Sequence, residues 1–213
     1  MKIAIVTDST AYLTAEEVSE YDIHVVPIPF ILNGETYREG VDMTTDDYYQ
    51  RLKTAKTFPT TSQPPIGEML AMFESLREKG YEAVISIHLA STISGLVNNL
   101  MGIADTVEGI KIYPYDSKLT VHLMGYLAIK ASQLVNEGKT PEEILPVLDQ
   151  LRETIDEYFV VDDLQHLARG GRLSNASAFI GTMLKVKPLL TFDDETNQIV
   201  PFEKVRSMKK AMQ

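Results

Sequence analysis

Short apolar runs of strand character alternate with helix-period stripes along most of this chain, and that alternation constrains the fold more than any other feature. Lys2 to Thr7 is rich in Ile and Val and opens into Asp8-Ser9-Thr10, and Ala83 to Ile87 and Ile110 to Tyr115 are runs of the same kind. Continuous apolar runs of this length fit strands covered on both faces, as in a parallel sheet. Helix signals fill the gaps. Thr14 with Glu17 and Thr140 with Glu143 form capping boxes, and Thr44 with Asp47 caps a shorter helix. Pro65 suits a first helical turn, Met69, Met72, Phe73 and Leu76 give that helix an apolar stripe, and Gly80 ends it. Leu96, Leu100, Ile103 and Val107 form another stripe, and a long helix is expected from about Leu119 to near Gly138. Connections of this length make right-handed parallel crossovers, so the fold class is α/β: an α/β/α layering around a mainly parallel sheet.

Three stretches interrupt the alternation. Val25 to Leu32 is extended, but Pro27 and Pro29 cannot donate ladder hydrogen bonds, which places the run at a sheet edge. Asn33-Gly34 then predicts a type I′ hairpin with Glu35 to Arg38 returning antiparallel. Phe58 to Pro65 reads as a polar, proline-punctuated loop. Beyond about residue 155 the pattern changes to a short strand at Tyr158 to Val161, the glycine-broken run Arg169-Gly170-Gly171-Arg172, a helix capped by Ser174 and two strands around Asp193 to Gln198. The expected organisation is an N-terminal α/β domain over 1–155 and a second domain over 156–213.

Composition excludes several functions. Absence of Cys removes thiolate nucleophiles, disulfides and cysteine-ligated metal centres, and fits a reducing cytoplasm. Twenty Lys and Arg against 30 Asp and Glu give a net charge of −10, which argues against nucleic acid or an anionic membrane as the main partner. No apolar run reaches the roughly 18 residues of a membrane span. Met1-Lys2 leads straight into a strand-like run rather than a signal-peptide core. The expectation is a soluble cytoplasmic protein whose contact with membranes is at most transient.

The four histidines, His24, His88, His122 and His166, share no metal-ligand spacing, and structural or surface roles suit each. P-loop, dinucleotide and nucleophile-elbow motifs are missing. Asp8 and Asp116 could pair in catalysis, although each also suits a helix cap after a strand. Recurrent strand-to-helix loops carry small hydroxyl residues: Ser9 and Thr10, then Ser91, Thr92 and Ser94, then Ser117. In a doubly wound sheet such loops gather at the carboxyl edge, where hydroxyls, unpaired amides and helix N-termini favour an anion. The same residues would also serve as plain N-caps. Gly95 allows close approach of a ligand to the backbone or tight helix packing. Arg169 and Arg172 flank a glycine turn and suit planar recognition of carboxylate or phosphate, or simple solvation.

Val6-Thr7-Asp8-Ser9, Thr60-Thr61-Ser62-Gln63-Pro64, Leu89-Ala90-Ser91-Thr92-Ile93-Ser94-Gly95 and Gly170-Gly171-Arg172-Leu173-Ser174, in that order and spacing, resemble the DegV family. The resemblance implies a long-chain fatty acid bound between an N-terminal α/β domain and a C-terminal domain on a mixed sheet. It implies Thr61 and Ser94 as the hydroxyls holding the carboxylate, with Ser62, Ser91 and the Gly95 amide nearby. Arg172, and less directly Arg169, would lie near the head group and the partner-facing surface. Some members are acyl-binding subunits of a fatty acid kinase that feeds phospholipid synthesis, with a separate ATP-dependent kinase subunit as partner and no cofactor, metal or catalytic residue of their own. Family members usually continue beyond Val205-Arg206-Ser207-Met208-Lys209-Lys210, so the second domain is expected to be incomplete. Two rival readings remain: a stand-alone phosphotransferase or hydrolase acting on a small anionic substrate at the same loops, and an interaction module docking through Arg172.

Overall fold

The computed structural model describes residues 1–161, 163–173, 187–205 and 209, which divide into two units, Met1–Glu153 and Thr154–Gln213. In the first unit β1 (Ile3–Asp8) leads through a 3-10 turn to α1 (Ala15–Glu20), β2 (Ile23–Val26), β3 (Pro29–Leu32), β4 (Glu35–Arg38), α2 (Thr45–Leu52) and β5 (Thr60–Thr61). Then come α3 (Ile66–Glu78), β6 (Ala83–His88), α4 (Leu96–Ile103), β7 (Lys111–Asp116), α5 (Val121–Asn136) and α6 (Pro141–Arg152). The capping boxes at Thr14 and Thr140 both form, and the Thr44 hydroxyl accepts from the Asp47 amide.

The main sheet is wholly parallel, in the order β2-β1-β6-β7. All six residues of β1 and of β6 are buried, which is why both read as continuous apolar runs. Ala4, Val6, Val84 and Ile112 pack with Met69, Phe73 and Leu76 of α3 and with Leu96 and Leu100 of α4. Each large side chain sealed here, such as Phe73, contributes about 1.5–3 kcal/mol. Ile3, Ile5, Ile85 and Ile87, of opposite parity, are buried too, and α5 covers β1 and β6 with α6 packed on it. From β1 the chain steps first to β2 on one side and later to β6 on the other, so the topological switch point lies between β1 and β6.

The extended run Val25 to Leu32 does not stay in one sheet. It divides at Pro27: β2 edges the main sheet as the prolines require, whereas β3 is the middle strand of a small antiparallel sheet β4-β3-β5. Pro29 is tolerated there because it is the strand's first residue. The Asn33-Gly34 hairpin forms with both residues at positive φ, 53° and 86°. The stretch read as a loop contains β5, in which Thr61 pairs with Phe30, and Phe30 itself stacks on Tyr37 and meets Tyr48 edge-on.

In the second unit β8 (Tyr158–Val160) precedes α7 (Leu164–Arg169), and β9 (Lys187–Phe192) and β10 (Ile199–Val205) follow. The strands form an antiparallel sheet β10-β9-β8, to which a parallel bridge between Leu173 and Ile199 adds a mixed character. The short helix α7 was not expected from the sequence. The helix expected after Ser174 lies outside the described residues.

Candidate functional site

The carboxyl ends of β1, β6 and β7 carry the hydroxyl loops, and the structure sorts these hydroxyls into two groups. Ser9 Oγ donates to Glu39 Oε2 at 2.6 Å and accepts from the Ile28 amide at 2.9 Å. The Thr10 hydroxyl and amide both donate to Asp8 Oδ1. Ser117 Oγ, fully buried, accepts from the Leu119 amide. These three side chains are hydrogen-bonded within the protein, but none is an N-cap: Asp8 caps the 3-10 turn and Thr120 is the N-cap residue of α5. Thr61 and Ser62 are exposed and Ser91 is half-buried. Among the described residues no protein group is hydrogen-bonded to the hydroxyl of Thr61, Ser62 or Ser91.

Ser94 stands between the groups. It precedes Gly95, the N-cap residue of α4, and its Oγ accepts from the Leu96 amide at 3.3 Å. Accepting through a lone pair leaves the hydroxyl proton to be donated elsewhere, so the helix-start role and an anion-binding role are compatible. The loop that holds Ser94 is fixed from several sides: Ala90 N–H donates to the Leu119 carbonyl, Ser91 N–H to Asp116 Oδ1, and Ser94 N–H to the Ala90 carbonyl. Thr61 is held by β5 pairing and by the Ser62 amide donating to the Pro29 carbonyl at 3.0 Å. Gln63 joins the two loops. Its Oε1 accepts from Asn99 Nδ2 at 2.5 Å, and its carboxamide lies against Gly95.

Beneath these loops runs a buried polar chain that sequence reasoning missed. Asp8 ends β1 and His88 ends β6, on the two sides of the switch point. His88 Nδ1 lies 2.7 Å from Asp8 Oδ2, and His88 Nε2 lies 2.7 Å from Ser86 Oγ, with all three residues fully buried. A neutral imidazole protonated at Nδ1 satisfies the chain: it donates to Asp8 and accepts from the Ser86 hydroxyl. Asp8 therefore has two occupations, as the cap of the 3-10 turn and as the partner of His88, and it does not pair with Asp116. The sequence signal existed. Ser86 and His88 share the parity of Val84 in a strand that is otherwise apolar, and Asp8 shares that of Val6 in the neighbouring strand.

The two arginines belong to the second unit. Arg169, exposed at the end of α7, donates to Gln165 Oε1 at 3.0 Å. Gly171 takes φ 72°, which reverses the chain so that Arg172 Nη1 donates to the Gly170 carbonyl at 2.7 Å. Among the described residues no cluster of three His, Asp or Glu side chains is placed to hold a metal ion, and no helix is long and apolar enough to cross a membrane.

A four-stranded parallel sheet with its switch point between β1 and β6, a loop at its carboxyl edge whose Ser91 hydroxyl has no protein partner among the described residues, and a second small unit together define a two-unit α/β protein. Residues 2–213 match the model of the DegV family of uncharacterised proteins. The chain belongs to the DegV family. It is 47% identical over 213 residues to Protein DegV of Bacillus subtilis, covering 100% of this chain and 75% of that protein. The crystal structure of that DegV, described as a fatty acid binding protein, superimposes with a TM-score of 0.90, covering 100% of this chain and 74% of the other. A fatty acid binding DegV family protein from Streptococcus agalactiae is 39% identical with a TM-score of 0.91, covering 100% and 75%. A DegV family protein from Thermus thermophilus, described by its fatty acid binding, is 31% identical with a TM-score of 0.86, covering 99% and 74%.

Proposed function

We propose that this protein binds a long-chain fatty acid in the cytoplasm, leaves it chemically unchanged, and presents its carboxylate to a separate ATP-dependent kinase subunit. Thr61 and Ser94 hold the carboxylate, with Ser62, Ser91 and the Gly95 amide around it, and Arg172 and Arg169 serve the head group or the partner. The observation that carries this reading is that Gln63 joins the loop of Thr61 to the loop of Ser94, while the neighbouring hydroxyls of Ser9, Thr10 and Ser117 are committed elsewhere. Donors held in place before the ligand arrives lose little entropy on binding a charged group, and each such bond contributes about 1.5–3 kcal/mol. The fatty acid binding described for relatives of 31–47% identity supports the ligand class. Native mass spectrometry after incubation with palmitate tests it. A one-to-one complex that Thr61→Val and Ser94→Ala each weaken roughly 10- to 150-fold is expected. Apo protein alone, or variants binding like wild type, would refute it.

One observation favours the hydrolase alternative. Ser86, His88 and Asp8 have the bond order of a nucleophile, base and orienting carboxylate. The Ser86 side chain is fully buried, however, so no substrate carbonyl reaches its oxygen, and the chain acts as a lock between β1 and β6. Turnover of p-nitrophenyl esters that Ser86→Ala abolishes would reverse that assignment.

A further inference from the structure

Thr61 and Ser94 come from separate segments, and Gln63 of the first touches the second. Gly95 has φ −80° and ψ 2°, a conformation open to any residue, so its backbone does not explain the glycine. Its surroundings do. The three atoms nearest a Cβ built on Gly95 all belong to Gln63, and the nearest, Nε2, would collide with it. Asn99, which donates to Gln63 Oε1, lies four residues beyond Gly95 and hence on the same face of α4. The carboxamide therefore lies along the first turn of α4, hydrogen-bonded to Asn99 and close over Gly95. The bond from Asn99 also decides which end faces Gly95: Oε1 is occupied, so Nε2 lies over the glycine. On the other side, Pro64 is buried and Pro65 is the N-cap residue of α3, which stiffens the backbone between Gln63 and that helix.

We propose that Gln63 is a positioning residue that sets the separation of the Thr61 and Ser94 hydroxyls, and that Gly95 is glycine to admit its carboxamide. The proposal rests on the carboxylate cradle described under the proposed function. Because Gln63 and Asn99 lie at the surface, their bond adds little to global stability, and its effect falls on the geometry of the two loops.

Palmitate and hexadecanol separate this role from a merely structural one, since they share a tail and differ in charge. In calorimetric titrations Gln63→Ala is expected to weaken palmitate about tenfold and hexadecanol less than about twofold, with a melting temperature within about 2 °C of wild type. Gly95→Ala displaces the carboxamide and should weaken palmitate to a similar degree. Adding Gln63→Ala to Gly95→Ala should then cost nothing more, because the joint is already broken. Equal losses for both ligands, or additive losses in the double variant, would overturn the proposal. If Gln63→Ala binds palmitate like wild type while Thr61→Val does not, the joint is refuted and the cradle stands. If Thr61→Val and Ser94→Ala also bind palmitate like wild type, the cradle itself is refuted and this assignment falls with it.

Discussion

Replacing His88 tests the buried chain at the switch point, and the structure ranks three substitutions. His88→Ala strips Asp8 Oδ2 of its imidazole donor, deletes the acceptor of Ser86 and leaves a void in a site with no solvent exposure. Leaving the buried Asp8 carboxylate without its donor exposes an uncompensated buried charge, which costs about 3–5 kcal/mol against a total stability of roughly 5–15 kcal/mol. At about 2–4 °C per kcal/mol for a chain of this size, the melting temperature should fall by roughly 6–20 °C. In His88→Asn the side-chain amide reaches about as far as Nδ1, so it can still donate to Asp8 and loses only the Ser86 bond, a cost of about 1–2 kcal/mol before any void. His88→Gln places its amide near Nε2, satisfies Ser86 and deserts the carboxylate, so it should be the worse of the two. Urea unfolding followed by circular dichroism measures all three. If the Gln variant equals or exceeds the Asn variant in stability, Asp8 is not the dominant partner. If the Ala variant loses less than about 1 kcal/mol, the imidazole is not a significant hydrogen-bond donor to the Asp8 carboxylate.

Three further outcomes are expected. A Cβ on Gly125 of α5 would stand 2.7 Å from the Ala11 carbonyl and 3.0 Å from Leu13 Cδ2, so Gly125→Ala should destabilise by about 1–3 kcal/mol and loosen the Ser9–Ala11 turn, read as faster amide exchange at Thr10. Burial, seconded by Lys79 and Lys2 and opposed by Asp22, lowers the pKa of His24, whose Nε2 is buried without a partner among the described residues. The unfolded chain therefore takes up that proton more readily, so stability is full above about pH 6.5 and declines as pH falls through that value toward the lower folded pKa. His24→Phe, which keeps the edge contact with Tyr81, should lose less between pH 7.5 and 5.5 in parallel urea titrations. Arg172→Ala should reduce partner-dependent phosphorylation of bound palmitate more than palmitate affinity, and equal losses in the two assays would refute its assignment to the head-group or partner surface.

What the sequence made legible was set by local rules. Capping boxes, the Asn33-Gly34 hairpin and the continuous apolar strands depend on residues close in the chain, and all were found where expected. What stayed hidden depends on pairing. β5 has two residues and becomes a strand only because Phe30 and Ile31 offer it an antiparallel edge. α7 has six, too few to hold by propensity alone. Gly95 marked a close approach, but whether to ligand, strand or side chain could not be read until Gln63 was seen over it. His88 looked like a solitary histidine because its partner ends a strand 80 residues earlier.

That separation orders events during synthesis. β1 can pair with β2 soon after both have been translated, but Asp8 has no imidazole to bind until the ribosome has added the 80 residues that separate it from His88. At about 5–20 residues per second this interval is roughly 4–16 s, longer still by the time His88 needs to leave the exit tunnel. Through that interval the Asp8 carboxylate must remain hydrated, which holds the inner edge of β1 open to water. Docking of β6 supplies that imidazole and pairs the second edge of β1, so a nascent chain halted short of β6 carries β1 with one edge unpaired.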